Sequence, residues 1–115
     1  MKIKKKQATK KLKEMKLLIV TAVSEYQDAI LKLFKKANIE AFSTSEIDGF
    51  KQNHGLIAMQ SWFPTANSGN ESVLFFTFTD EANIDVFFEL GYEFNQNLET
   101  NNPIRAVVVP IERSL

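Results

Sequence analysis

No cysteine occurs among the 115 residues, which excludes a disulfide framework, a thiolate metal centre and a cysteine nucleophile. A single histidine, His54, leaves little imidazole for acid–base chemistry. Long apolar runs are missing as well. Those at 17–20 and 73–76 are broken within a few residues, far short of the roughly 20 needed to cross a bilayer as a helix. The amino-terminal residues are basic but carry no apolar stretch followed by a small-residue cleavage site, so no secretory signal is read and a cytoplasmic address is expected. These absences remove most enzyme classes. What remains is a 13.1 kDa chain, 44% apolar and 24% charged, sized for one domain.

The formal charge of zero hides an asymmetry. Residues 1–14 hold seven lysines and one acid, which leaves seven basic and thirteen acidic residues, net −6, for 15–115. Phosphate recognition depends on clustered Lys and Arg, so a body this acidic is not expected to bind nucleic acid. Residues 1–14 are expected to be a solvated, disordered basic leader, with Met15 as an alternative start, and 15–115 a single domain.

Residues 16–23, KLLIVTAV, are β-branched and nearly continuously apolar, the pattern of a strand covered on both faces. Ser24 with Gln27 three residues on has the form of a capping box. Tyr26, Ile30, Leu33, Phe34 and Ala37 then recur at helical spacing, with Asp28, Lys32, Lys35 and Lys36 opposite. Asn38 can end this helix in a left-handed conformation. A second strand is predicted over 41–50, with Phe42, Thr44, Glu46, Asp48 and Phe50 on one side. Residues 51–71 have no sustained period, and loops this long inside a compact domain are usually functional or disordered. SVLFFTFT at 72–79 is a third strand, apolar on both faces. Thr79 or Asp80 caps a second helix reaching about Asn97, whose stripe is Ile84, Phe87, Leu90, Gly91, Phe94 and Leu98. Gly91 in that stripe predicts a close approach by a neighbouring element. The last strand is predicted over 104–111, where Pro110 implies an edge or the end of pairing.

This order predicts an α+β, ferredoxin-like βαββαβ fold: a four-stranded antiparallel sheet with two helices on one face. The other face then stays bare although its strands are apolar on both sides. Leu74, Phe76 and Phe78 or their neighbours Val73 and Phe75 stand in water in a monomer, and a patch of that kind marks an interface. A closed homo-oligomer, most simply a trimer, is expected.

Residues 17–55 resemble the PII-like (GlnB-like) signalling proteins without a gap. The likeness centres on 39–50, IEAFSTSEIDGF, which is similar to the family's Ile-x-Gly-Met-Thr-Val-Thr-Glu-Val-Lys-Gly-Phe, followed by Lys51-Gln52-Asn53-His54-Gly55 in place of Gly-Arg-Gln-Lys-Gly. The resemblance implies a non-enzymatic homotrimer with its sheets lining the inside. It implies small effectors, ATP or ADP among them, in clefts between subunits, and a loop between the second and third strands that docks onto a partner protein, often a membrane transporter. Residues 51–71 would be that T-loop. By position, Ser43 would lie near an adenine edge, with Gly49, Phe50 and Gln52 bordering phosphates, and Arg105 would meet an anion in the same intersubunit cleft.

Departures from the family pattern bear on the ligand. The family's Gly-Asp-Gly-Lys before the final strand brings backbone amides and a lysine to phosphate; this chain has Thr100-Asn101-Asn102-Pro103, and the proline removes a donor. Glu71 stands where the family has a lysine, and Gln52 replaces an arginine. A nucleotide site of the family's kind is therefore not expected, and the cofactor stays unassigned. Trp62 and Phe63 are the partner-docking anchor in this reading, or else fold back over the subunit edge. The alternative function is a CutA-like divalent-metal-responsive protein, with His54 and nearby Glu46, Asp48 or Glu71 as ligands. Glu46 and Asp48 also form a candidate acid–base pair, against which stands a solvated strand end or pairing with Lys51 and Arg105. A small hydrolase needs a positioned nucleophile that the sequence does not offer.

Overall fold

Alternation along the first strand puts Leu18, Val20 and Ala22 on one side and Leu17, Ile19 and Thr21 on the other. The computed structural model realises this as β1, Lys16–Val23, and describes residues 15–47, 71–98 and 101–115. A 3-10 turn, Ser24–Tyr26, leads into α1, Gln27–Lys36. The capping box expected at Ser24 and Gln27 does not form. Ser24 N–H instead donates to the Glu71 carbonyl at 2.8 Å, and Gln27 N–H closes the tighter turn onto the Ser24 carbonyl, so neither amide needs a side-chain acceptor. The Ser24 hydroxyl is left buried without a partner. Asn38 ends the helix at φ 60°, as its side chain permits.

The second strand, β2, spans Ser43–Ile47 and starts two residues later than the predicted 41–50. At its start the Ala41 carbonyl accepts from the Thr77 hydroxyl instead of from a neighbouring strand's amide; positions 48–50 lie outside the described residues. β3 is Ser72–Thr79, as predicted. Asp80 caps α2, Glu81–Gln96, its Oδ1 accepting from Asn83 N–H at 2.9 Å. β4 is Arg105–Pro110, one residue shorter at each end than expected.

The strands lie in the order β2-β3-β1-β4, antiparallel throughout. This is the split βαβ arrangement the sequence predicts. Leu18, Val20, Ala22, Val73 and Phe75 of the sheet form one core with Ile30, Leu33 and Phe34 of α1 and Ile84 and Phe87 of α2. Phe34 sits at its centre, its ring 5.0 Å from Phe87 and 5.5 Å from Phe75. Both helices thus cover the same face, and the register leaves the alternate residues of each strand on the other.

Candidate functional site

That second face is ordered by register into rows. Phe78, Leu17 and Val109 lie side by side, then Ser43, Phe76, Ile19 and Val107, then Ser45, Leu74, Thr21 and Arg105. No helix covers it. Phe78 is 55% exposed, Phe76 and Val109 39% and Val107 37%, whereas residues of these types are ordinarily buried. The exposure runs continuously over three strands instead of being scattered, and continuous apolar patches are the kind that mark interaction surfaces. Toward the far end of the same face Thr21, Val23 and Ser72 are buried, and the Ser72 hydroxyl has no hydrogen-bond partner.

The two described residues of the expected ligand cleft sit on opposite margins of the sheet. Ser43 opens β2 and Arg105 opens β4, with β3 and β1 between them; at about 4.8 Å per strand the backbones are roughly 14 Å apart. A single chain does not bring them together. Glu46, on β2, is separated from Arg105 in the same way, which corrects the expectation that the two can pair within the chain. Gly49, Phe50, Gln52, His54, Trp62 and Phe63 lie outside the described residues. Among the described residues, no group of three His, Asp or Glu side chains can hold a metal ion, and no helix is long and apolar enough to cross a membrane.

Beside Arg105 a cavity of about 250 Å³ opens between α2 and β4, walled by Phe87, Phe88, Gly91, Tyr92 and Ile104. Its floor is held by a residue the sequence reading passed over. Asn95 Nδ2 donates to the Ile104 carbonyl at 3.0 Å, and its Oδ1 accepts from Ile104 N–H at 2.8 Å. One carboxamide thus satisfies both backbone groups of the residue that enters β4, as a neighbouring strand would. The signal was present: Asn95 falls four residues after Gly91 and eight after Phe87, a polar residue on the apolar stripe. Gly91 itself is not demanded by a close approach, since a Cβ there would meet Ile104 Cδ1 at an ordinary 3.6 Å.

With this geometry established, comparison with known proteins locates the fold. No family model matches the sequence, and no curated protein matches it significantly. Solved structures do. The chain is similar to CPII, a nitrogen regulatory PII-like protein from Thiomonas intermedia solved with ADP, AMP and bicarbonate, at TM-score 0.56 and 11% identity over 88% of this chain and 96% of that one. It is similar to a DUF3240 family protein from Shewanella baltica at TM-score 0.57 and 18% identity, covering 88% and 93% of the two chains. It is also similar to GlnK of B. subtilis, at TM-score 0.57 and 11% identity over 85% of each. Between 85% and 96% of each of these structures is spanned, and the shared feature is the PII-like fold.

Proposed function

We propose that this chain, built on the PII-like fold, is a non-enzymatic regulatory subunit that works as a trimer, binds a small ligand between subunits and reports it to a partner protein. The observation that carries the reading is the bare sheet face. Phe76, Phe78, Val107 and Val109 need cover that the two helices do not supply, and identical copies turned face inward supply it by the same hydrophobic drive that builds the core. A cleft then forms where the β2 margin of one copy, carrying Ser43, meets the β4 margin of the next, carrying Arg105 and the cavity between α2 and β4. Arg105 is the anion-recognising group of that cleft. Residues 51–71, which include Trp62 and Phe63, are the segment that changes state with the ligand and engages the partner, with membrane transporters the class of partner to test first.

CPII is described with ADP, AMP and bicarbonate, so these define the first ligand panel. Thr100-Asn101-Asn102-Pro103 offers fewer amides to a polyphosphate than a glycine loop does, so a small anion such as bicarbonate is favoured over a triphosphate. Light scattering on the purified chain, followed by a thermal-shift panel of AMP, ADP, ATP and bicarbonate, tests the reading. A trimer whose melting temperature rises with bicarbonate or a nucleotide in a saturable way supports it. A monomer at every concentration rejects it, and a trimer indifferent to the whole panel rejects the ligand class. Deleting 51–71 abolishes binding to a candidate transporter in this reading; unchanged binding removes the loop from the mechanism.

A further inference from the structure

Two rows of side chains four residues apart, Phe87-Gly91-Asn95 and Phe88-Tyr92, lie next to each other on α2. Ile104 closes the space beside them from the entry to β4, and the enclosed volume is about 250 Å³. Phe87 is buried at its base and Tyr92 is exposed at its rim. The Phe88 ring stands between them, 6.4 Å from Phe87 at 48° and 6.3 Å from Tyr92 at 53°. Rings inclined in this way present both edges and faces, the geometry in which a further aromatic ring packs well. The volume suffices for one, since an apolar cavity of about 150 Å³ holds benzene; what is left over admits a short chain. Gly91 keeps that volume open. Glycine is disfavoured inside a helix relative to alanine, yet an added Cβ here would meet Ile104 Cδ1 at an unstrained 3.6 Å.

The polar groups around the cavity select the chemistry of its occupant. Asn95 already holds the Ile104 carbonyl with Nδ2 and the Ile104 N–H with Oδ1. A nucleobase seated at the base would press its ring nitrogens against Phe87 and Phe88, where no side chain is placed to pair them, and burial of unpaired polar atoms is unfavourable. A hydrocarbon ring meets no such penalty. Arg105 is the one charged residue among those lining the cavity, and its planar fork of donors fits a carboxylate. The acids of α2, Glu81, Asp85, Glu89 and Glu93, recur every fourth residue along a separate exposed row, and none of them lines the cavity. We infer that the cavity between α2 and β4 binds a single-ring aryl carboxylate, its phenyl group against Phe88 and Ile104 and its carboxylate at Arg105. This deepens the ligand reading above by naming the class of the anion. It rests on Arg105 as the anion-recognising group and not on the trimer, because every wall belongs to one chain.

The test is calorimetric titration of the full wild-type chain with phenylacetate, acetate and benzylamine, with backbone amide chemical shifts followed in parallel. The expected result is saturable binding of phenylacetate at least tenfold tighter than acetate, which has the charge without the ring. It should also be at least tenfold tighter than benzylamine, which has the ring and the opposite charge. The amide shifts of Gly91, Asn95 and Ala106 should move with the same midpoint. Arg105→Gln should weaken phenylacetate at least tenfold and abolish its preference over benzylamine. Phenylacetate that binds no tighter than acetate, or that shifts only residues outside the cavity, overturns the inference. A trimer that answers bicarbonate but gains nothing from the ring overturns this site alone, while the reading above stands. Phenylacetate bound at these amides in a chain that sediments as a monomer upholds the site and overturns the trimer. AMP that displaces phenylacetate and shifts the same amides at lower concentration assigns the cavity to a nucleobase and overturns the class. Should Arg105→Gln fail to fold, the comparison of phenylacetate with benzylamine on the wild-type chain decides the role of the charge.

Discussion

The two faces of the sheet are made of the same kinds of residue and have different fates. On the covered face, Val20, Phe75 and Val73 meet Ile30, Phe34, Ile84 and Phe87 and are sealed from water. On the other, Ile19, Phe76 and Val107 stand in a row of equal apolarity with no helix of the described residues above them. Composition therefore does not separate a core from an interface; the number of covering elements does. A strand apolar on both sides needs two layers of cover, and the helices among the described residues supply one. Substituting matched residues on the two faces sharpens the contrast. Phe34→Ala removes the ring at the centre of the core and should cost about 3–5 kcal/mol in denaturant unfolding, as buried aromatics do. Phe78→Asp, on the other face, should leave the unfolding of the isolated subunit within about 0.5 kcal/mol, because the residue is already wet. It should weaken self-association by at least about 2 kcal/mol in sedimentation equilibrium. Equal losses of subunit stability from the two variants would erase the distinction.

A second contrast lies between the two strands that border the sheet. β2 is polar and exposed along most of its length and begins with the Ala41 carbonyl satisfied by the Thr77 hydroxyl. β4 is apolar and begins with Ile104 clamped by Asn95. Both starts satisfy backbone groups with a side chain in place of a strand's amide or carbonyl. The clamp is the stronger of the two, since it holds a donor and an acceptor at once. Asn95→Ala should destabilise by about 1–3 kcal/mol, the cost of leaving part-buried backbone groups unpaired. Asn95→Asp restores the acceptor for Ile104 N–H and not the donor, so it should recover part of the loss. A full recovery would mean that the carbonyl bond contributes nothing.

Much of this architecture can be read from the residues alone, because its signals are local. β1 and β3 are bounded where their apolar runs begin and end, Asp80 announces α2, and Asn38 announces the end of α1. The misreadings share one cause. Ser24 resembles a cap, yet its amide is taken by Glu71, a residue 47 positions further on. The predicted second strand starts two residues early because Thr77, from the neighbouring strand, competes for Ala41. Long-range partners of this sort leave no local pattern. The site was legible as a surface and not as a pocket: alternation exposes the bare face, but that Ser43 and Arg105 lie on opposite margins follows only from strand order.

Gly91 offers the smallest effect and the most pointed test of that lesson. A glycine on the apolar stripe of a helix reads as a place where another element presses close. Here the nearest atom that an added Cβ would meet is Ile104 Cδ1 at 3.6 Å, an ordinary contact. Nothing among the described residues forbids a methyl group at this position, and the methyl would enter the cavity between α2 and β4. Glycine inside a helix is worse than alanine by about 0.8–1.0 kcal/mol through backbone entropy alone. Gly91→Ala should therefore raise the stability of the isolated subunit by about 0.5–1 kcal/mol in denaturant unfolding. If the same variant assembles more weakly than wild type, the space beside Gly91 is used between copies, which would explain a glycine that the described residues of one chain do not demand. If assembly is unchanged, the cavity takes no part in the contact between copies, and the cleft must be drawn further along β4 toward Val108.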